Sequence, residues 1–339
     1  MRIGAVYNPH LPNSQYRCVI PLRALERRGH EVLWPADTVG QDRIDRLLDC
    51  DLVHMHRQYG PATLAVVPLL RRSGVAVSWD NDDDLAAVPV ESPHHEAFSG
   101  TRGAEIEGAW RRIVTRASVV TTTTARLAER LFDGGAARVE VIENALPAHF
   151  LRQHPREHEG VVVGWIAGTT HAADAQRLGI DRLLAEMLDD HGQLHVATIG
   201  LDLAIDHPRY HHLPRVEFDR LLDAAAGFDI GIAPLADLAF NEARSDVKAR
   251  EYAALGIPWL ASPVGPYRRL GTHQGGELVA DGDWRQALER LLDGGERTRR
   301  GAVARRWAES VTIDTLAGRW ESVFASAIEH PSTDGRGAE

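Results

Sequence analysis

The chain has 339 residues, 44% hydrophobic and 25% charged, which is the composition of a globular protein long enough for two separate cores. Its formal net charge of −10 argues against a general nucleic-acid-binding protein, so we expect no nucleic-acid partner and only local phosphate sites. Cys18 and Cys50 lie far apart and outside any CxxC pattern, which predicts neither a disulfide framework nor a zinc site.

The chain opens with a β-loop-α-β pattern. Residues 2–7 are rich in β-forming side chains, a polar loop follows over 8–14, and a helical pattern ends at Gly29 before the strand HEVLWP. This is how a doubly wound parallel sheet begins, with ligands bound at the carboxyl ends of its strands. Arg17 falls near the positive end of the helix dipole, so it could face a phosphate or an acceptor; a surface arginine is the alternative.

The N-terminus also bears on location and cofactor. MRIGAVYNP lacks the long apolar region of a signal peptide, and the sequence has no run of about 18 uncharged apolar residues. We therefore expect a cytoplasmic protein. The first strand is not followed by GxGxxG, which argues against a nicotinamide-dependent enzyme.

Two further predicted strands end in chemically active side chains. CDLVHMHRQYG carries His54 and His56 on one face of a strand near its end. A two-histidine metal site would need a third ligand that the sequence does not place, and the alternative is one histidine near the cleft. VAVSWDNDDDL ends in an acidic run that includes Asp82 and Asp83. Such a run could bind Mg²⁺ or Mn²⁺, cap a helix, orient an acceptor or act as a base. His56, Asp82 and Asp83 are the candidate catalytic residues, and we expect no obligatory metal.

One helix of this half is compatible with peripheral membrane contact. The pattern AEIEGAWRRIVTRAS sets Trp110 among Arg111, Arg112 and Arg116. A basic helix of this kind can touch an anionic membrane surface, and a solvated helix face is the alternative. The α/β pattern stops at LRQHPREHEG, so we place a linker over residues 151–160.

The second half restarts the α/β pattern with VVVGWIAG. This strand ends in Gly168, followed by Thr169 and then a helix predicted to begin near Ala172. Because small residues let a ligand approach the backbone, this helix start is a candidate anion site. A threonine-capped helix is the alternative.

The segment FNEARSDVKAREYAALGIP concentrates charge at the start of a predicted ten-residue helix that is N-capped by Ser245 and closed by Gly256. Arg244 and Lys248 crowd the positive end of its dipole, which an anion such as a diphosphate would relieve. Glu251 shares a face with Lys248 and could accept hydrogen bonds from ribose hydroxyls. The alternative is a capped surface helix with a weak Lys248–Glu251 pair.

The same region, PLADLAFNEARSDVKAREYAALGIPWLAS, resembles the donor-nucleotide segment of GT-B glycosyltransferases of family 4, also called glycosyltransferase group 1. The shared pattern is a Phe-Asn pair, Arg-Ser-Asp-x-Lys, then Glu-Tyr-Ala-Ala-x-Gly-x-Pro. The resemblance implies an α/β protein with two Rossmann-like doubly wound domains facing across a cleft. It also assigns roles to residues in the donor domain. The implied diphosphate ligands are Gly168, Thr169, Arg244, Ser245 and Lys248, and the implied ribose ligand is Glu251.

The resemblance further implies a domain plan and an activity. Residues 1–150 would bind the acceptor, 161–312 the nucleotide sugar, 313–329 would form a helix crossing back to the first domain, and 330–339 a disordered tail. The enzyme would move a sugar from a UDP- or GDP-sugar to a small-molecule or glycan acceptor, with retention of configuration and without a cofactor. The alternatives are an epimerase or hydrolase of the same fold and a non-catalytic nucleotide-sugar-binding protein. The sequence does not indicate an oligomeric state.

Overall fold

A computed structural model of the chain describes residues 1–35 and 42–330, and its contacts separate into two compact units. Unit 1 comprises Met1–Ala86, Ala97–Ala145 and the last helix, Ile313–Glu329. Unit 2 comprises Ala87–Glu96 and Leu146–Thr312. The predicted tail lies outside the described residues from 331 onward.

Unit 1 is built on a six-stranded parallel sheet in the order β2-β1-β3-β4-β5-β6. Its strands are β1 (Arg2–Val6), β2 (Glu31–Leu33), β3 (Leu52–His56), β4 (Ala76–Asp80), β5 (Val119–Thr122) and β6 (Val139–Val141). The strand order reverses between β1 and β3. In sheets of this type that reversal opens a crevice at the carboxyl ends of the strands, where ligands bind.

Helices surround this sheet. They are α1 (Ile20–Arg27), α2 (Arg43–Leu48), α3 (Pro61–Arg72), α4 (His95–Phe98), α5 (Gly100–Val114) and α6 (Ala125–Asp133). A π-helical segment, Gln15–Val19, runs directly into α1. The last helix of the chain packs on α1 and β4, and its Trp320 and Phe324 are buried against His54 of β3.

Unit 2 has a second six-stranded parallel sheet, in the order β12-β11-β10-β7-β8-β9. Its strands are β7 (Val161–Ala167), β8 (Leu194–Gly200), β9 (Tyr210–Leu213), β10 (Ile230–Ala233), β11 (Trp259–Ala261) and β12 (Gly276–Leu278). The strand order here reverses between β7 and β10. Both sheets match the predicted Rossmann-like α/β architecture.

The helices of unit 2 follow the same alternation. They are α7 (Ala172–Leu178), α8 (Ile180–Asp190), α9 (Leu221–Ala225), α10 (Ala239–Glu242), α11 (Val247–Ala254), α12 (Trp284–Arg290) and α13 (Gly294–Ser310), with α14 (Ile313–Glu329) belonging to unit 1. Short 3₁₀ segments are Leu85–Ala87, Ala148–Arg152, Thr169–His171, Phe218–Arg220, Gly265–Arg269 and Thr272–Gln274. None of the helices in the described ranges is long and apolar enough to span a bilayer.

The apolar run of β7 explains its central place in this sheet. Strands buried on both faces read as continuous apolar runs because their side chains alternate between two cores. Trp165 packs in one apolar cluster and Ile166 in the other. The Tyr252 hydroxyl accepts from the Ile166 N–H at 2.9 Å and donates to the Ile232 carbonyl at 2.8 Å. This side chain therefore fixes α11 to β7 and β10.

Candidate functional site

In unit 2 the turn after β7 is open to solvent. Gly168 and Thr169 are both exposed, and the Gly168 backbone has ordinary extended angles of φ −74° and ψ 167°. A Cβ built on Gly168 meets nothing within 4 Å. Neither backbone conformation nor packing within the chain therefore requires glycine here, and the turn leaves room for another molecule.

Arg244 connects the loop after β10 to this turn. Its Nη1 and Nη2 atoms lie 3.4 and 3.3 Å from the Thr170 Oγ1, and its guanidinium lies 5.1 Å from the centre of the Phe240 ring. Neither contact carries a negative charge. Arg244 thus brings a cation to the point where the strand order reverses.

The helix that follows begins later than the sequence predicted. Asp246, not Ser245, occupies the N-cap of α11, and the helix has eight residues instead of ten. The Asp246 side chain makes no capping hydrogen bond because its carboxylate oxygens accept from Arg250 Nε at 2.7 Å and Nη2 at 2.8 Å. Ser245 is half-buried immediately before the cap. The predicted left-handed closure at Gly256 is confirmed, with φ 70°.

Lys248 lies in the first turn of α11, with its Nζ 3.2 Å from Glu251 Oε2. The Lys248 side chain is 21% exposed, whereas that of Glu251 is 1% exposed. Lys248 is also the single lysine among the 38 Lys and Arg residues of the sequence. A lysine ammonium acts as a compact point charge, in contrast to the planar arginine fork.

A buried carboxylate, Asp174, forms hydrogen bonds with the residues that follow β7 and with those that follow β10. One of its oxygens accepts from the Ala236 N–H at 3.0 Å and from Asn241 Nδ2 at 2.6 Å. The other lies 2.8 Å from His171 Nδ1. Asp174 thus holds the start of α7 against the loop after β10, which keeps the turn and Arg244 in register.

Burial and positive charge also affect His171. Burial, together with the nearby Arg244, lowers the pKa of His171 to about 4, although its bond to Asp174 acts in the opposite direction. Burial alone would raise the pKa of Asp174, but the hydrogen bond from His171 and the charge of Arg244 lower it. At neutral pH His171 is therefore neutral and Asp174 ionised.

Unit 1 places Arg17 differently from the sequence prediction. Its side chain is 0% exposed, and Nε and Nη2 donate to Asp80 at 3.0 and 2.7 Å. Nη1 donates to the Ile142 carbonyl at 2.6 Å and to Asn144 Oδ1 at 3.2 Å. The expectation that Arg17 faces a phosphate or an acceptor does not agree with this burial. Its partner, Asp80, lies 63 residues away, so charge near a helix start could not reveal the pair.

The candidate catalytic residues of unit 1 meet at the ends of β3 and β4. His56 Nε2 lies 3.1 Å from Asp82 Oδ1, and its other ring nitrogen lies 3.1 Å from the Ser14 Oγ. Arg57 Nε lies 2.6 Å from Asp82, and Arg57 Nη2 pairs with Asp83. His56 is 0% exposed, so of these three candidates Asp83, at 18%, offers the most accessible functional group.

Arg57 was missed by sequence reasoning, although it organises this cluster. It adopts φ 52°, an uncommon conformation for a residue other than glycine that often marks functional sites. Burial would raise the pKa of Asp82, but Arg57 and the hydrogen bond from His56 hold it well below its usual range. The acidic run is thus partly neutralised from within the chain. Across the described residues, no three His, Cys, Asp or Glu side chains are grouped as metal ligands.

The arginines of the predicted membrane-contacting helix have partners inside unit 1. Arg111 donates to Glu107 at 2.8 Å and to the Asp133 carbonyl, and Trp110 stacks on Trp79 with ring centres 6.5 Å apart. These contacts are those of a packed helix face. Membrane contact stays an untested expectation.

Comparison by sequence finds no protein-family model and no curated protein that matches the chain. Solved structures do match. Sucrose-phosphate synthase from Thermosynechococcus elongatus aligns over 97% of this chain and 99% of its own, with TM-score 0.69 and 14% identity. An alpha-glucosyltransferase in complex with UDP-glucose and DNA containing an abasic site aligns over 96% and 99%, with TM-score 0.68 and 12% identity.

The Anabaena protein HepE in complex with UDP-glucose aligns over 96% of this chain and 100% of its own, with TM-score 0.64 and 14% identity. At such identities the likeness establishes the fold. It confirms the predicted GT-B class with its two Rossmann-like parallel sheets.

Proposed function

We propose that the protein is a glycosyltransferase that takes a sugar from a nucleoside diphosphate donor, with UDP as the leading candidate. The observation that supports this most directly is the edge of unit 2, where Arg244 and Lys248 flank the open Gly168–Thr169 turn. This edge is the reversal point of the strand order, where sheets of this type bind nucleotides. UDP is favoured over GDP because the HepE and alpha-glucosyltransferase structures hold UDP-glucose.

The chemistry of the leaving group fits these side chains. Breaking the bond between the sugar and the diphosphate leaves additional negative charge on the phosphate oxygens. Arg244, Lys248 and the backbone N–H groups at the start of α11 stabilise that charge without rearranging, which is how electrostatic catalysis lowers a barrier. Under this proposal a metal ion is not needed for the leaving group.

Glu251 takes the ribose in this proposal. Its carboxylate sits one turn after Lys248, with Oε2 3.2 Å from the lysine Nζ, and its oxygens can accept hydrogen bonds from ribose hydroxyls. The same lysine would then contact both the ribose-binding carboxylate and the diphosphate. Ser245, just before the N-cap, completes the proposed diphosphate ligands.

We assign retention of configuration through front-face attack, assisted by the leaving phosphate. A double displacement would need a free carboxylate at the anomeric carbon. On the unit 2 edge, Asp174 is engaged by three donors and Glu251 by Lys248, and both are about 1% exposed. In unit 1, Asp83 and the His56–Asp82 pair are the candidates for orienting or deprotonating an acceptor, which we expect to be a glycan or a small molecule.

Calorimetric titration tests the donor site. UDP, GDP, dTDP and ADP would be titrated with and without EDTA into the wild type, Lys248→Ala and Glu251→Gln. We expect one diphosphate to bind in the micromolar range regardless of EDTA, with weaker binding in both variants. Equal affinity in all three proteins would contradict the site, and binding abolished by EDTA would contradict metal independence.

Turnover separates the transferase from its alternatives. The wild type would be incubated with a sugar nucleotide of the best-binding base, alone and with a library of glycan and small-molecule acceptors. A transferase releases the diphosphate rapidly only when an acceptor is present. Rapid release without an acceptor would indicate a hydrolase, a changed sugar configuration an epimerase, and binding without turnover a binding protein.

A further inference from the structure

The segment Ala87–Glu96 belongs to unit 2, although the chain on both sides of it belongs to unit 1. It begins three residues after the acidic run and ends within α4, which leads to α5. Ordering these ten residues against a distant part of the sequence costs conformational entropy, which contacts of the segment must offset. The contacts it makes fall beside the proposed diphosphate turn.

The segment is folded on itself as a compact turn. Ser92, 4% exposed, donates its N–H to the Pro89 carbonyl at 3.0 Å, and its own carbonyl accepts from the His95 N–H at 3.0 Å. His95 Nδ1 lies 2.8 Å from the Val88 carbonyl. These bonds fix the direction in which the intervening side chains point.

Glu91 anchors the turn to the helix that follows the diphosphate loop. Glu91 Oε1 accepts from Arg177 Nη2 at 2.6 Å and Nε at 3.1 Å, a forked contact in which the planar guanidinium sets the orientation. Arg177 is on α7, which starts three residues after Thr169. The anchor thus ties the segment to the element that carries the turn.

His94 is the side chain this arrangement brings to the turn. Its Nε2 lies 3.0 Å from the Thr169 Oγ1, and both side chains are exposed. An anion oxygen bound by the threonine hydroxyl would lie about 2.7 Å from that hydroxyl. The exposed His94 ring contacts the same hydroxyl, so a rotation of the ring can bring its nitrogen to such an oxygen. Across the turn, Arg244 makes the corresponding contact with Thr170.

We infer that His94 is a further donor-binding residue, which donates its Nε2–H to the diphosphate of the nucleotide sugar, and that the Glu91–Arg177 pair holds it there. The inference rests on the proposed function of the Gly168–Thr169 turn. Without donor, His94 rests on Thr169; with donor, the phosphate oxygen replaces that contact. Ala87–Glu96 then acts as a clasp over the Gly168–Thr169 turn within unit 2.

The test compares UDP with uridine, which lacks the phosphates. Dissociation constants would be measured for the wild type, His94→Ala and His94→Gln, with His154→Ala as a control at an exposed histidine of the same unit. We expect His94→Ala to weaken UDP binding about tenfold, the scale of a charged hydrogen bond, and to leave uridine binding unchanged. His94→Gln retains an N–H donor and should recover part of the loss.

Glu91→Gln tests the anchor independently, because it leaves His94 in place. It should weaken UDP binding by a smaller factor than His94→Ala. Wild-type UDP affinity in His94→Ala, or tighter binding, would overturn the inference; tighter binding would mean that the clasp obstructs the turn. If the wild type binds no diphosphate, or Lys248→Ala binds it normally, the proposed function itself fails.

Discussion

The strand-end edges of the two units differ in how their arginines are paired. In unit 1 the cations are matched by carboxylates inside the fold, with Arg17 on Asp80 and Arg57 on Asp82 and Asp83. In unit 2 Lys248 is likewise paired with Glu251, but the side chain of Arg244 contacts a threonine hydroxyl and an aromatic ring beside an exposed glycine turn. The first edge is an internally paired network, whereas the second includes one cation, Arg244, whose side-chain contacts are uncharged.

This difference shows why the number of charges at a strand end is a poor guide to binding. In a buried ion pair each charge neutralises the other, because their attraction must offset the free-energy cost of removing both from water. A half-exposed cation that is not paired with a carboxylate can still attract an anionic ligand. The contrast predicts that substitutions at the unit 1 edge mainly change stability, whereas those at the unit 2 edge mainly change ligand affinity.

The largest effect is expected for Arg17→Met. It leaves Asp80 as a buried charge without its partner, which should lower the free energy of unfolding by about 3 to 5 kcal/mol. Thermal denaturation measures the loss, and calorimetry should show unchanged UDP affinity in the protein that stays folded. The double substitution Arg17→Met with Asp80→Leu should regain much of the stability. A stable Arg17→Met protein with weakened UDP binding would reverse the assignment of the two edges.

Next comes Lys248→Ala. Removing a charged hydrogen-bond donor from the proposed diphosphate site should weaken UDP binding by about 1.5 to 3 kcal/mol. Some stability should also be lost, because the substitution removes the ammonium beside the 1% exposed Glu251 carboxylate, so UDP affinity is measured on protein that thermal denaturation shows to be folded. Arg299→Ala is the matched control, because it removes a 67% exposed cation of the same unit. If both variants lose affinity equally, net charge and not the site explains the binding.

Two glycines of unit 2 allow the open turn and the packed core to be tested separately. Gly168→Val should weaken UDP binding about tenfold with little loss of stability, since a Cβ there meets only open space. Gly164→Ala should do the reverse, because its Cβ would come within 1.9 Å of the Phe228 ring. Ligand titration and melting temperature of each variant provide the comparison. Normal UDP affinity in Gly168→Val would remove the turn from the site.

Acid should affect both units alike, through one buried histidine in each. Burial lowers the pKa of His54 and of His171 to about 4. Between about pH 6.5 and 4 these histidines bind protons in the unfolded chain but not in the folded one. The free energy of unfolding therefore falls as pH falls, by up to about 1.4 kcal/mol per pH unit for each group. His171→Gln should reduce that slope in denaturant titrations. An unchanged slope would show that His171 is protonated in the folded protein.

Much of the fold follows from local patterns in the sequence. The apolar run of β7, the repeated α/β alternation and the glycine that closes α11 are all decided by nearby residues, and the structure agrees with them. The predicted start of α11 was wrong because the Asp246 side chain accepts from Arg250, four residues later, and makes no capping hydrogen bond. The unusual feature of Arg57 is its positive backbone angle φ, which cannot be predicted from the residue type.

The long-range contacts could not be predicted. The partner of Arg17 lies 63 residues away, and His94 meets Thr169 across 75 residues. A single sequence shows where charged and small residues occur, but which of them neutralise each other depends on the tertiary fold. That distinction underlies the proposal that the unit 2 edge binds the donor.

The single lysine allows the central claim to be observed directly. Reductive methylation with ¹³C-formaldehyde labels only the Lys248 amine and the N-terminal amine and keeps the charge of both. Two-dimensional NMR then follows the two signals as UDP is added, with the N-terminal signal as the internal reference. We predict that the Lys248 signal shifts with UDP concentration while the N-terminal signal stays in place. A Lys248 signal that does not move while calorimetry records UDP binding would contradict the assignment of the donor site to this edge.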